Sequence, residues 1–258
     1  MSSPVIDSKS DGHVHTRYCG HAQGEMEEYV RAAIGMGLRE IVFLEHLECG
    51  ISYFESTWLT DDDFDAYHRE GERLRRLYGE RIRIGLGVEV GFNPEAVPEI
   101  LARLSRHAWD RIGVSYHYYG IDGRHYNVVS RRQQNLEALA SHGIERVSTG
   151  YLAGLLAAVR QLPATVVCHL DAVLRHLPGF SLAAAQGGQI SELLQAMRQK
   201  GVALEVNTSG FSHRGEPYPR REVIREAVSL GIPLVAGSDA HRPSEVGRHF
   251  DQLAGLLS

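Results

Sequence analysis

The chain has 258 residues, 43% of them apolar, enough for one large core, and the length fits a single domain over residues 1–258. Its formal net charge of −5 offers no basic field for extended nucleic acid, and no stretch approaches the roughly 18 consecutive apolar residues of a membrane span. Three cysteines (Cys19, Cys49, Cys168) form no CxxC pair, and "MSSPVIDSKSDG" at the N-terminus lacks an apolar leader core, so a reduced, cytoplasmic setting is expected.

Along the chain, short apolar or β-branched runs alternate with longer amphipathic segments, the pattern of βα units around a parallel sheet. Seven runs are predicted as strands: "GHVH" (12–15), "EIVFLEH" (40–46), "RIRIGLGVEV" (81–90), "DRIGVSYH" (110–117), "ATVVCHL" (164–170), "VALEVN" (202–207) and "PLVAGSD" (233–239). Segments such as "EEYVRAAIGMG" and "QISELLQAMRQKG" read as helices closing on glycine. Residues 50–63 and 118–130 read as long loops, which in a compact domain often carry function.

The polar residues gather at the ends of these runs. The first ends in His13 and His15 with His21 on the following loop, the second in Glu45 and His46, and the third reaches Glu89. The fourth ends in His117, the fifth in His169, and the seventh in Asp239 and His241, while "NTSG" (207–210) follows the sixth. In a closed parallel barrel, the C-terminal strand ends share the face where barrel enzymes keep their chemistry. Convergent imidazoles and carboxylates suit divalent transition metals and are costly to bury unpaired. The HxH spacing adds to this, since alternate strand residues face one side and both rings can reach one ion.

These residues carry a family resemblance. "DGHVH" with His21, "LEH", "GVEVGF", "SYH", "CHLD", "EVNTSG" and "GSDAH" resemble, in order and spacing, the polymerase and histidinol phosphatase (PHP) superfamily, and most closely its stand-alone histidinol-phosphatase branch, from residue 11 to about 250. The resemblance implies a distorted (β/α)7 barrel of the α/β class with its metals at the C-terminal strand ends. It implies that His13, His15, Glu89 and Asp239 hold one ion, that Glu89 bridges to a second held by His117 and His169, and that His21, His46 and His241 hold a third. Glu89, Asp239 and His241 would form the catalytic centre, with two to three divalent ions of zinc, manganese or iron, because a nitrogen and oxygen donor set suits all three.

Paired ions about 3.5 to 4 Å apart lower the pKa of a shared water and clamp the oxygens of an in-line displacement. The expected reaction is therefore hydrolysis of a small phosphomonoester, foremost L-histidinol phosphate, by attack of a hydroxide between the ions. Arg214, just beyond "NTSG", is the first candidate for gripping phosphate and Arg124 the second. His125 is the candidate contact to the leaving group, and His213 is a loop histidine on the same face. The tyrosines around His117 in "SYHYYGIDGRHYN" depart from the branch's pattern and leave another small phosphate ester open as substrate.

Three other readings fit the residues less well. An amidohydrolase-type barrel would want a bridging lysine at a strand end, but the two lysines, Lys9 and Lys200, both precede strands. A non-catalytic PHP module would be expected to lose ligands, whereas all nine positions are filled. A nuclease is disfavoured by the lack of a basic track with interleaved aromatics. Among the other histidines, His68, His107, His142, His176 and His249 are expected to be solvated. Cys19 and Cys49 are read as ordinary cysteines, and Asp11 and Glu45 as either orienters of ligands or plain strand-end carboxylates.

Overall fold

The computed structural model describes residues 6–182 and 186–256. Its strands are β1 (Ser10–Val14), β2 (Glu40–Glu48), β3 (Arg83–Gly91), β4 (Arg111–Ser115), β5 (Tyr118–Ile121), β6 (Arg124–Asn127), β7 (Val166–Val167), β8 (Ala203–Asn207) and β9 (Leu234–Gly237). Seven of them pair in the order β1-β2-β3-β4-β7-β8-β9, every pairing parallel, and they correspond to the seven expected runs. The ring closes between its first and last strands. Val14 bridges Ala240 in parallel, the His15 amide donates to the Ala240 carbonyl at 2.9 Å, and the Asp239 amide donates to the His13 carbonyl at 2.9 Å. Closure thus falls on residues expected to bind metal.

The helices are α1 (Met26–Gly35), α2 (Asp61–Tyr78), α3 (Val97–Leu104), α4 (Gln133–His142), α5 (Ile144–Gln161), α6 (Gly187–Lys200), α7 (Gly210–Arg214) and α8 (Arg221–Ser229). Thr60 and Asp63 form a capping box that starts α2 inside the expected loop 50–63. The expected loop 118–130 contains an antiparallel hairpin, β5 with β6, pairing Tyr118 with Asn127. Among the described residues, no helix is long and apolar enough to cross a membrane.

The barrel interior explains the spacing of glycines in β3. Val42, Leu44, Val166, Cys168 and Ala203 form a separate inner cluster with Val235 against it. Alternation along β2 places Val42, Leu44, His46 and Glu48 on one side, so the apolar layers lead upward into the polar end. A Cβ on Gly85 or Gly87 would press on Val42 at 2.9 Å or Leu44 at 2.6 Å, and one on Gly91 would overlap the Glu48 carboxylate. Glycine there leaves space that the β2 side chains fill. In β1 the register jumps from Asp11 opposite Ile41 to Val14 opposite Phe43, three residues against two. This bulge at Gly12–His13 re-aims the chain where its first histidine leaves the strand.

Asp11 fastens the closure, and its burial is complete. One carboxylate oxygen accepts from the Ser238 amide at 2.9 Å and the other from the Gly247 amide at 2.8 Å. Asp11→Ala should therefore strand two buried N–H groups and cost about 2 to 4 kcal/mol. Urea unfolding of the chelator-treated protein checks this; an unchanged midpoint would assign the closure to packing alone.

Candidate metal centre

All nine expected ligands meet at the C-terminal strand ends, seven lining one cleft with His13 and His15 buried beneath it, in three groups that share residues. In the first, the Nε2 atoms of His13 and His15 lie 2.8 Å apart, with Glu89 Oε2 at 3.4 and 3.5 Å and Asp239 Oδ1 at 3.9 and 3.5 Å from them. In the second, the other Glu89 oxygen lies 2.8 Å from His169 Nε2 and 3.3 Å from His117 Nε2. In the third, His21 Nε2 faces His241 Nε2 at 2.8 Å, and the His46 ring stacks on those of His21 and His15. His46 Nδ1 also sits 3.0 Å from Glu89 Oε2. Glu89 is thus common to all three.

The hydrogen-bond partners of the rings assign tautomers that suit cations. The His13 Nδ1 donates to Glu205 Oε1 at 2.6 Å, so in the neutral ring that a metal requires, its Nε2 presents the lone pair to His15. The His21 Nδ1 donates to the Cys19 carbonyl at 3.2 Å and the His241 Nδ1 to the Asp239 carbonyl at 3.0 Å, so two further lone pairs point at each other. Burial, with the His46 and His241 imidazoles nearby, pushes His21 down to about 3, which keeps that ring neutral. Such facing lone pairs repel unless a cation takes both. Glu89 Oε2 tells the same story, being a buried oxygen without a hydrogen-bond partner. Burial alone would raise the Glu89 carboxyl, yet His117, His13 and His46 hold it well below the usual carboxylate range, so its charge persists. The donor set fits divalent transition ions.

A layer of buried carboxylates orients these rings. Glu205 takes the His13 Nδ1 proton with one oxygen, and with the other accepts from the His169 amide at 2.7 Å and the Asn207 side chain at 3.2 Å. Glu48 Oε1 accepts from His117 Nδ1 at 2.8 Å. A Cβ on Gly237 would overlap the Glu205 carboxylate, as one on Gly91 would that of Glu48. Asp239 and His169 hold φ of 52° and 24°, the left-handed region that non-glycine residues rarely adopt and that clusters at functional sites. Glu45 does not touch a ligand ring; it accepts from the Thr16 amide at 2.8 Å and from the Thr16 hydroxyl at 2.5 Å. Asp11 likewise serves the backbone.

The expected substrate contacts are not in this cleft. Arg214 Nη2 donates to Asp171 Oδ1 at 2.9 Å and to the Pro217 carbonyl, and its guanidinium lies 4.1 Å over the Tyr218 ring, so a buried carboxylate has captured it. Arg124 and His125 lie on β6 and line an outer cavity with Tyr53 and Phe54, where His125 Nδ1 accepts from the Ser52 amide at 3.0 Å. His213 is exposed, with His176 its ring neighbour at 5.7 Å. The cleft is instead completed by Glu48, Thr57, Tyr118, Asn127, Val129 and Arg175. Arg175 is half-buried, and its Nε has no partner.

Other expectations also shift. His68 is not solvated: it stacks on His107 at 4.2 Å beside Trp109. Cys19 brings its sulfur into one group with His21 and His241, although burial pushes that thiol up to about 12. Lys9 precedes β1 and Lys200 ends α6 ahead of β8, at the strand starts rather than the ligand face.

A family model described as the PHP domain matches residues 11–209, and one described as PHP-associated matches 217–254. The chain belongs to the PHP domain family. A Deinococcus radiodurans protein named "Probable histidinol-phosphatase" is 30% identical over 248 residues, covering 93% of this PHP chain and 89% of its own. The Bacillus subtilis protein named histidinol-phosphatase is 27% identical over 94% of this chain and 97% of its own. Among solved structures, a Listeria monocytogenes protein superposes with a TM-score of 0.83 at 20% identity, covering 94% of this chain and 99% of that one. The Lactococcus lactis histidinol phosphate phosphatase, a complex with zinc, L-histidinol and phosphate, gives a TM-score of 0.78 at 22% identity over 97% and 92%. At these identities the two structures show a shared PHP-type barrel.

The sharing of Glu89 sets a metal-content test. Glu89→Ala should lower bound transition metal by more than one ion per chain, whereas His21→Ala should lose at most one. Elemental analysis of the purified variants decides it; equal loss in the two would break the assignment of Glu89 as a common ligand.

Proposed function

We propose that this PHP chain is a metal-dependent phosphomonoesterase acting on L-histidinol phosphate and releasing L-histidinol and phosphate. The observation that carries the reaction class is the pair of facing imidazole contacts joined through one buried carboxylate. His13 and His15 face each other at 2.8 Å, His21 and His241 at 2.8 Å, with Glu89 among them. The substrate is supported by the relatives named histidinol-phosphatase, which match over 93% and 94% of this chain.

On this reading His13, His15, Glu89 and Asp239 hold a first ion, Glu89, His117 and His169 a second, and His21, His46 and His241 a third. When bound, the ions supply Lewis acidity that lowers the pKa of water and neutralises charge on phosphate. The chain's own part is orientation. Glu205 and Glu48 keep His13 and His117 in the tautomer that offers Nε2, and Glu89 spans the groups from the middle of the barrel. Arg175 takes the phosphate role expected of Arg214, because it lines the cleft and its guanidinium is not engaged by a carboxylate among the described residues. Its planar fork matches two phosphate oxygens.

Phosphate release from L-histidinol phosphate, with nucleoside monophosphates and an oligonucleotide as controls, tests the function. Release should stop on chelation and return with zinc or manganese. Full turnover in the metal-free protein, or no preference for L-histidinol phosphate, would overturn it.

The two arginines should separate. Arg175→Ala should lower kcat/KM about 30- to 1000-fold for every phosphomonoester with metal content unchanged. Arg214→Ala should instead destabilise the fold by about 2 to 4 kcal/mol, because it leaves the buried Asp171 without its cation. The reverse pattern in kinetics and thermal melting would return the phosphate role to Arg214.

A further inference from the structure

One side chain in the cleft is held with great care and has no evident structural purpose. Tyr118 is only 4% exposed, and its buried hydroxyl makes no hydrogen bond of good geometry, with the Thr57 and Asn127 side chains as its polar neighbours. Its ring is wedged by Tyr53 at 5.1 Å and by the edge of Trp58 at 5.9 Å, so the hydroxyl has little freedom to find a partner elsewhere. A poorly paired buried hydroxyl costs free energy that a phenylalanine would avoid, so a native one calls for a reason. Tyr118 lines the metal cleft, and that supplies the reason.

The neighbouring groups define what could satisfy it. Tyr118 is paired across the hairpin with Asn127, which also lines the cleft, and Thr57 comes from the segment between β2 and α2. Asn127 Oδ1 is taken by the Val129 amide at 2.9 Å, which leaves its amide nitrogen to donate. A phenol is neutral at about pH 7 and can both donate and accept. Glu48 adds a carboxylate to the same lining. No metal-binding role is assigned to Tyr118, Thr57 or Asn127, so this set is available to the rest of the substrate.

We propose that the Tyr118 hydroxyl, with Thr57 and Asn127 beside it, is the specificity-determining contact for the alcohol half of the substrate, selecting an alcohol that carries hydrogen-bonding nitrogen. A neutral donor–acceptor set beside Glu48 suits a neutral or cationic nitrogen group and repels a second anion. This rests on the phosphomonoesterase reading above and adds the group that reads the leaving alcohol.

Tyr118→Phe tests it by removing one oxygen. With L-histidinol phosphate, kcat/KM should fall about 10- to 100-fold, mainly through KM, while phenyl phosphate, which has no nitrogen, should change by less than about 2-fold. The melting temperature should change little and metal content should be unchanged, because the lost hydroxyl makes no hydrogen bond of good geometry within the protein. A wild-type enzyme that does not favour L-histidinol phosphate would sink the substrate assignment alone. The comparison with phenyl phosphate is then made with whichever ester in a panel of amino-alcohol phosphates and nucleoside monophosphates it hydrolyses best. An unchanged ratio between the best ester and phenyl phosphate, or an equal loss on both with a lower melting temperature, would overturn the role of Tyr118.

Discussion

The carboxylate of Glu89 is the constraint around which the rest is arranged. It is buried completely, and neighbouring imidazoles keep it ionised in spite of that burial. Removing one charge from water costs several kcal/mol even after relaxation, so an ionised carboxylate inside a barrel must be met by positive charge. Imidazoles supply it by binding protons, as the lowered Glu89 carboxyl reflects; as neutral rings they carry no charge themselves. They can hold ions that do, and for this the rings must be neutral, correctly tautomeric and aimed inward. Glu205 and Glu48 fix His13 and His117 in that way.

The barrel interior serves the same end. Above the apolar layer of Val42, Leu44, Val166 and Cys168, the space is given to carboxylates instead of side chains that would fill it. Gly91 and Gly237 are where this shows, since a methyl group at either would occupy the place of Glu48 or Glu205. A glycine in a strand weakens it, and here two strands carry that cost next to the ligands. The left-handed backbone of His169 and Asp239 points the same way, with local stability given up where geometry must be exact.

Much of this was legible in the chain because each strand announces its own end. The seven runs are the seven barrel strands, and the ligands stand at or just beyond their C-terminal ends, where one inward-facing polar residue in an apolar run is conspicuous. The second layer was harder to see. Glu205 sits inside "VALEVN" and Glu48 two residues beyond His46, so alternation places both inward, yet nothing local says that their partners are His13, 192 residues away, or His117, 69 away. The place of Arg214 was hidden for a related reason. Its proximity to "NTSG" is a fact of sequence, but the buried Asp171 competes for its guanidinium, and that competition exists only after β7 and α7 have packed. Arg175 carries no motif and is distinguished only by what surrounds it.

The groups proposed to bind metal and those proposed to face substrate therefore come from different parts of the chain. The ligands are placed by strand ends and by the closure between β1 and β9, so moving one disturbs the barrel. Thr57, Tyr118, Asn127 and Arg175 come from the connections after β2, β4 and β7, whose conformations depend on local contacts such as the β5–β6 pairing and the tilted Tyr53–Tyr118 ring contact. Barrel enzymes in general build specificity on such loops over a rigid scaffold. The tyrosines around His117 that set "SYHYYGIDGRHYN" apart fall in that adaptable layer, so a departure there bears on which ester is hydrolysed while the ligand set beneath it is untouched.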